Sequence, residues 1–296
     1  MLRIARVLAP NPSVYTLEGT NTWIVGDAPA FVIDPGPDDV AHLDEVARTA
    51  GDVAHVLVTH DHEDHAAGAR TFAEKVGAPI WAWRLAGAQH LKDGQRLSAA
   101  GVEVAAIHTP GHSPDHVVFW IASEGALFTG DAVLGRGTSF IDPSEGDLAK
   151  YLASLQRMIE LAPRTIYPGH GPVVLDAPGK LRGYLEHRGD REEQVLAGLA
   201  DGSRTVEALV EAIYVDQPED VKPLAARTIT AHLMKLAAEG RVEKSGRGAQ
   251  QTWSIAEPRT CARCGRPVKG RGRYCGPCSL ALLQGDAREG APEPQA

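Results

Sequence analysis

Val53-Ala54-His55-Val56-Leu57-Val58-Thr59-His60-Asp61-His62-Glu63-Asp64-His65 decides how this chain is read. Its first half is a short apolar run of the kind that forms a buried strand. At the end of that strand four metal-ligand side chains, His60, His62, Asp64 and His65, emerge together. Imidazole and carboxylate suit a borderline divalent ion such as zinc, and a rigid strand end fixes their directions better than a free loop.

The same arrangement recurs along the chain, each time just after a short apolar run. His112 stands in Thr109-Pro110-Gly111-His112-Ser113, Asp131 in Thr129-Gly130-Asp131, and His170 in Pro168-Gly169-His170-Gly171. Glycine beside each ligand lets the backbone approach closely or turn where other residues cannot. Candidate strands are 22–25, 30–33, 53–58, 102–107, 117–121, 126–128 and 165–167, with helices starting near Val40, Ala66 and Glu145. Leu148, Leu152, Leu155 and Ile159 give the last helix an apolar stripe. Sheets covered by helices follow from this order. Of the other histidines, His42, at the surface, and His55 and His108, within strand-like runs, read as structural, and His116 as a candidate substrate contact. Asp34, before Pro35-Gly36, reads as a turn-initiating residue.

In order and spacing these motifs resemble those of the metallo-β-lactamase superfamily over about residues 1–180. The resemblance implies an α/β fold, an αββα sandwich with its site at one edge. It implies one ion on His60, His62 and His112, another on Asp64, His65 and His170, and Asp131 bridging both, and it leaves Asp34 either a turn residue only or also a non-ligating support for the site. Two ions roughly 3.5–4 Å apart share a water and hold the resulting bridging hydroxide for attack. Asp64 and Asp131 are then the catalytic carboxylates, Asp64 orienting the nucleophile. Cysteine-ligand antibiotic hydrolases carry Cys where Asp131 stands, and diiron redox members usually carry Glu where His62 stands. Binuclear zinc hydrolysis is the implied chemistry.

Domain boundaries are expected at 1–183 for the hydrolase, 184–256 for a winged-helix module, 258–280 for a zinc-ribbon-like segment and 281–296 for a disordered tail. The winged helix is read from helices at 190–200, 205–213 and 221–238 and a hairpin at 241–244 and 252–255. Leu224, Ile229, Leu233 and Leu236 form the buried side of its third helix, leaving Arg227, Thr230 and Lys235 exposed, too thin a positive face for sequence-specific DNA reading. All four cysteines, Cys261, Cys264, Cys275 and Cys278, lie in the short segment as two C-x2-C pairs able to close a tetrahedral zinc site. That makes three zinc ions expected, two catalytic and one structural.

The formal net charge is −8, yet the end of the chain is basic. An acidic body disfavours broad adhesion to nucleic acid, while the basic end offers a local contact. The winged helix, with Asn11-Pro12-Ser13 and the stretch 17–22, resembles the metallo-β-lactamase-like endoribonucleases over about residues 7–255. Single-stranded RNA is therefore the first expected substrate, and a thioester or small ester of the glyoxalase II type the second. A non-catalytic nucleic-acid-binding protein is the third possibility, disfavoured because all seven ligands are intact. No run approaches the roughly 18 apolar residues of a membrane span, and MLRIARVLAPNPS lacks a secretion signal, so no membrane partner and a cytoplasmic location are expected. Oligomeric state is left open.

Overall fold

The computed structural model describes residues 2–216, 218–257, 261–265 and 277–279. Cys275 and the tail expected at 281–296 lie outside these residues. The chain divides into two compact units, Met1–Gly189 and Asp190–Ala296.

In the first unit one sheet is built from β1 (Ile4–Leu8), β2 (Asn21–Val25), β3 (Ala30–Ile33), β4 (Val53–Leu57), β5 (Ile80–Ala82) and β6 (Gln89–His90), in that spatial order. Helices α1 (Val40–Ala50), α2 (Glu63–Ala66) and α3 (Ala69–Val76) fall between its strands. The second sheet holds β7 (Arg96–Ala99), β8 (Val102–His108), β9 (Val117–Ile121) and β10 (Ala126–Gly130). After α4 (Leu148–Glu160) it is completed by β11 (Thr165–Pro168), giving the order β11-β10-β9-β8-β7. The unit closes on α5 (Ala177–Gly198), which runs into the second unit.

Period-two alternation sorts the side chains. Trp23, Val25, Phe31, Ile33 and Leu57 of the first sheet share one core with Val104, Val117, Phe119, Ile121 and Phe128 of the second, so the two sheets pack face to face. Ile24, Val32 and Val56 point the other way, onto Leu43 and Val46 of α1 and Phe72 of α3. Each apolar side chain buried in this way contributes about 1.5–3 kcal/mol. Because β3 and β4 run parallel, their C-terminal ends open on the same edge, where Asp34 and Thr59 follow.

Several expectations change. The α4 helix starts at Leu148, capped by the Asp147 carboxylate on the Lys150 amide. Its buried face is Leu148, Tyr151, Leu155 and Met158, so the expected stripe is rotated and Leu152 and Ile159 lie only half-buried at its edge. The expected helix at 190–200 is the end of the longer α5, in which Pro178 occupies the first turn, where its missing amide costs nothing.

The second unit contains the end of α5, α6 (Val206–Ile213), α7 (Lys222–Ala238) and a hairpin of β12 (Val242–Ser245) and β13 (Thr252–Ile255). Val195, Leu199, Leu209, Ile229, Leu233, Leu236, Val242 and Trp253 form its core, with Leu224 only half-buried. Lys235, expected on the exposed face, is drawn into ion pairs with Glu192 and Glu239 and keeps 11% of its side chain exposed. Among the described residues no helix is long and apolar enough to cross a membrane.

Candidate metal centre

His60, His62, Asp64 and His65 occupy the turn after β4 and the short α2, as a strand end followed at once by a helix turn requires. His112 follows β8, Asp131 follows β10 and His170 follows β11. All seven ligand residues named from the sequence come together in two groups sharing Asp131. The Nε2 atoms of His60 and His112 lie 3.0 and 3.3 Å from Nδ1 of His62. In the other group His65 Nε2 and His170 Nε2 are 3.2 Å apart, and Asp64 Oδ2 is 3.1 Å from His170 Nε2. The Asp131 carboxylate reaches both: Oδ1 is 3.3 Å from His65 Nε2 and 3.2 Å from His170 Nε2, and Oδ2 is 3.9 Å from His112 Nε2.

Chemistry on the far side of each ring fixes which nitrogen faces inward, because carbonyl and carboxylate oxygens can only accept. His112 donates from Nδ1 to the Phe140 carbonyl at 3.0 Å, and His170 from Nδ1 to the Gly19 carbonyl at 3.2 Å. His62 donates from Nε2 to Glu145 Oε1 at 2.9 Å. His65 donates from Nδ1 to Asp34 Oδ2 at 2.9 Å. The Thr59 hydroxyl donates to the same Asp34 oxygen at 2.8 Å, so it accepts from His60 Nδ1 at 3.0 Å. Each inward nitrogen therefore presents a lone pair in the neutral ring. Five lone pairs and two carboxylates converge with no fixed donor among them, and Asp131 Oδ1 is buried without a hydrogen-bond partner. Such a donor set fits divalent cations.

Electrostatics separates the two groups. Burial, reinforced by neighbouring imidazoles, holds His60 well below its ordinary pKa, and burial also lowers His112. Burial opposes charge on His65 and His170 too, but Asp64 and Asp131 outweigh it: His65 is raised well above its usual value, and His170 to about 9, mainly by Asp131. An ion entering beside these two displaces protons. Asp131 is held well below the ordinary carboxylate range: burial works against this, and the charges of His170 and His65 overcome it.

Asp34 is buried at φ +51°, and besides His65 and Thr59 Oγ1 it accepts the Thr59 amide at 2.7 Å. It supports the site as well as making the turn. His42 is buried, not superficial, with Nε2 on the Pro35 carbonyl at 3.0 Å, so it clamps that turn. His116 is 0% exposed with its ring 5.0 Å from that of His60; it backs the ligands and is out of a substrate's reach. His108 stacks on Trp83, with ring centroids 3.8 Å apart, and His55 packs between Phe31 and Trp81.

Sequence patterns did not reveal Thr59, Glu145 or Asn21. Asn21 Nδ2 donates to the carbonyls of Pro168 and Gly171, both at 2.9 Å, and so grips the loop carrying His170. Gly169 is required there by crowding: a Cβ would stand 2.6 Å from His65 Cε1 and 2.8 Å from Asp131 Oδ1.

Two facing sheets that bring five imidazoles and two carboxylates to one edge define a metal-dependent hydrolase. The chain belongs to the metallo-β-lactamase superfamily. Residues 15–100 and 91–170 match the Metallo-beta-lactamase superfamily, and residues 205–253 the Beta-lactamase associated winged helix domain. It is 33% identical to Beta-lactamase-like protein 2 homolog of Drosophila melanogaster, covering 86% of this chain and 94% of that one. It is 35% identical to Atrochrysone carboxyl ACP thioesterase of Claviceps purpurea, covering 86% of each. A beta-lactamase domain protein from Burkholderia ambifaria shares the fold, with a TM-score of 0.74 at 21% identity over 86% of this chain and 91% of that one.

Proposed function

We propose that the protein is a binuclear zinc hydrolase of acyl thioesters. The observation that carries the binuclear reading is the gathering of five tautomer-fixed imidazoles into two groups, with Asp131 facing both, Oδ1 towards His65 and His170 and Oδ2 towards His112. Bound divalent ions would supply Lewis acidity, acidifying water and polarising the scissile carbonyl. His60, His62 and His112 would hold one, Asp64, His65 and His170 the other, and Asp131 both.

The protein's own groups then divide the work. His60, His65 and His170 form a dry floor, while Asp64 keeps 28% of its side chain exposed and lies within reach of incoming water. Its carboxylate accepts the proton that water loses as oxygen attacks the acyl carbon. The carbon–sulfur bond breaks next, and the thiol leaves as a thiolate, an anion stable enough near neutrality to depart without a proton.

Relatives named as thioesterases support this substrate class. Their alignment over 86% of this chain has to enter the winged-helix region, so that module does not by itself favour RNA. The other support for single-stranded RNA is the basic stretch between Arg241 and Arg273, of which residues 266–273 lie outside the described residues. Measuring kcat/KM on an acyl-CoA, an acyl-glutathione and single-stranded RNA, with and without chelator, tests the assignment. Chelator-sensitive thioester turnover is expected. Efficient RNA cleavage without thioester turnover would overturn it.

A further inference from the structure

The second unit contains a separate cluster of metal-ligand side chains: the Sγ atoms of Cys261, Cys264 and Cys278 lie within 4.8 Å of one another. We propose that these three cysteines bind a structural zinc ion through their thiolates, as a metal site distinct from the hydrolase centre.

The local backbone is built for it. Cys261-Ala262-Arg263-Cys264-Gly265 forms a tight turn closed by the Gly265 amide on the Cys261 carbonyl at 2.9 Å. Gly265 sits at φ +69°, where a side chain would be strained, so the position after the second sulfur favours glycine. Pro277–Ser279, a single helical turn, brings in the third sulfur. Tetrahedral thiolates on zinc stand about 3.8 Å apart, given a Zn–S distance near 2.3 Å. The three sulfurs, none more than 4.8 Å from another, are compatible with that spacing. A disulfide would satisfy two of these sulfurs and leave the third. The sequence supplies a further thiol, Cys275, outside the described residues.

Composition supports the same reading. Between residues 258 and 280 the only large apolar side chains are Val268, Tyr274 and Leu280, too few to fold the segment by burial. The same stretch carries Arg259, Arg263, Arg266, Lys269, Arg271 and Arg273 and no Asp or Glu. Positive surroundings favour thiolate over thiol and offset the net negative charge of a zinc–thiolate centre. Cys261 is 3% exposed, so one sulfur is already withdrawn from water.

The test uses full-length protein purified under reducing conditions. Metal analysis should find about three equivalents in the wild type and about two in Cys264→Ser, with thioester hydrolysis unchanged. Cobalt substitution should give thiolate-to-cobalt charge-transfer bands in the wild type and in Asp131→Ala, which separates this site from the hydrolase centre even if turnover is lost. Wild-type thiols should resist a thiol reagent until chelator is added. Absence of the cobalt bands from the wild type would overturn the proposal whether or not Cys264→Ser folds. Equal metal content in wild type and variant, or a Cys261–Cys264 disulfide in reduced preparations, would overturn it as well.

Discussion

Both units carry a convergent set of metal ligands, and they reach it by opposite routes. In the first, two packed sheets present ligands at strand ends, and a second partner aims each imidazole: Thr59 for His60, Glu145 for His62, Asp34 for His65, Phe140 for His112 and Gly19 for His170. There the fold and these partners aim the ligands. In the second, three thiols converge in a segment with almost no apolar side chains, and the ion organises the chain. A site aimed by its fold is vulnerable at residues that never touch the ion, whereas a site organised by its ion is vulnerable mainly at the ligands themselves.

The strongest way to break this contrast is Asp131→Ala. Removing the carboxylate that faces both groups should lower kcat on the order of a thousandfold and deplete the hydrolase metals, leaving the cysteine site loaded. Retention of both metals with near-normal turnover would reduce Asp131 to a turn residue. Asp34→Asn probes preorganisation without deleting a ligand: an amide NH2 must face Thr59 or His65, both of which donate. Metal affinity, read by chelator competition, should fall about 10- to 100-fold. An unchanged affinity would mean the imidazoles need no aiming.

Glu145 offers a finer measurement, because its side chain is 42% exposed and water can replace part of what it supplies. Glu145→Ala should weaken metal binding about tenfold, while Glu145→Gln, which keeps an acceptor oxygen for His62 Nε2, should restore most of it. Equal loss in both variants would point to charge instead of ring orientation. The smallest effect belongs to the second unit, where Glu192 pairs with Lys235 and Arg241. Burial pushes the Glu192 pKa up, but its bonds to Lys235 and then Arg241 more than offset this and leave it lowered. The stabilisation is therefore present above the unfolded glutamate value of about 4.3 and is lost as pH falls through the depressed folded value. Glu192→Gln should cost about 0.5–1 kcal/mol at pH 7 in thermal or denaturant melts, and the two proteins should converge in acid. A gap that persists below pH 3 would show that packing, not charge, is responsible.

The ligands were legible in the sequence because each follows a buried apolar strand, and burial leaves a readable pattern. Strands on the margins were not. Gln89–His90 is two exposed residues, and Ile80–Ala82 only three, too short for any period to register. The start of α5 was hidden by Gly179, Gly183 and Gly189, whose low helix propensity is overridden by burial of Leu181, Tyr184 and Arg188. The residues that aim the imidazoles were the hardest to find: Phe140 and Gly19 act through backbone carbonyls, which no side-chain pattern marks. Glu145 lies 83 residues from its partner.

The anchoring of His170 also orders events in time. A ribosome releases the chain from its N-terminus, so His60 to His65 emerge early, and His65 waits for a ligand 105 residues downstream. His170 in turn is steadied by Gly19, 151 residues upstream, and its loop by Asn21. Until His170 emerges, the set of ligands at this edge is incomplete. Only when β11 docks and its loop closes onto the first strands is the seven-residue set complete, so it cannot form before the hydrolase unit is almost fully made.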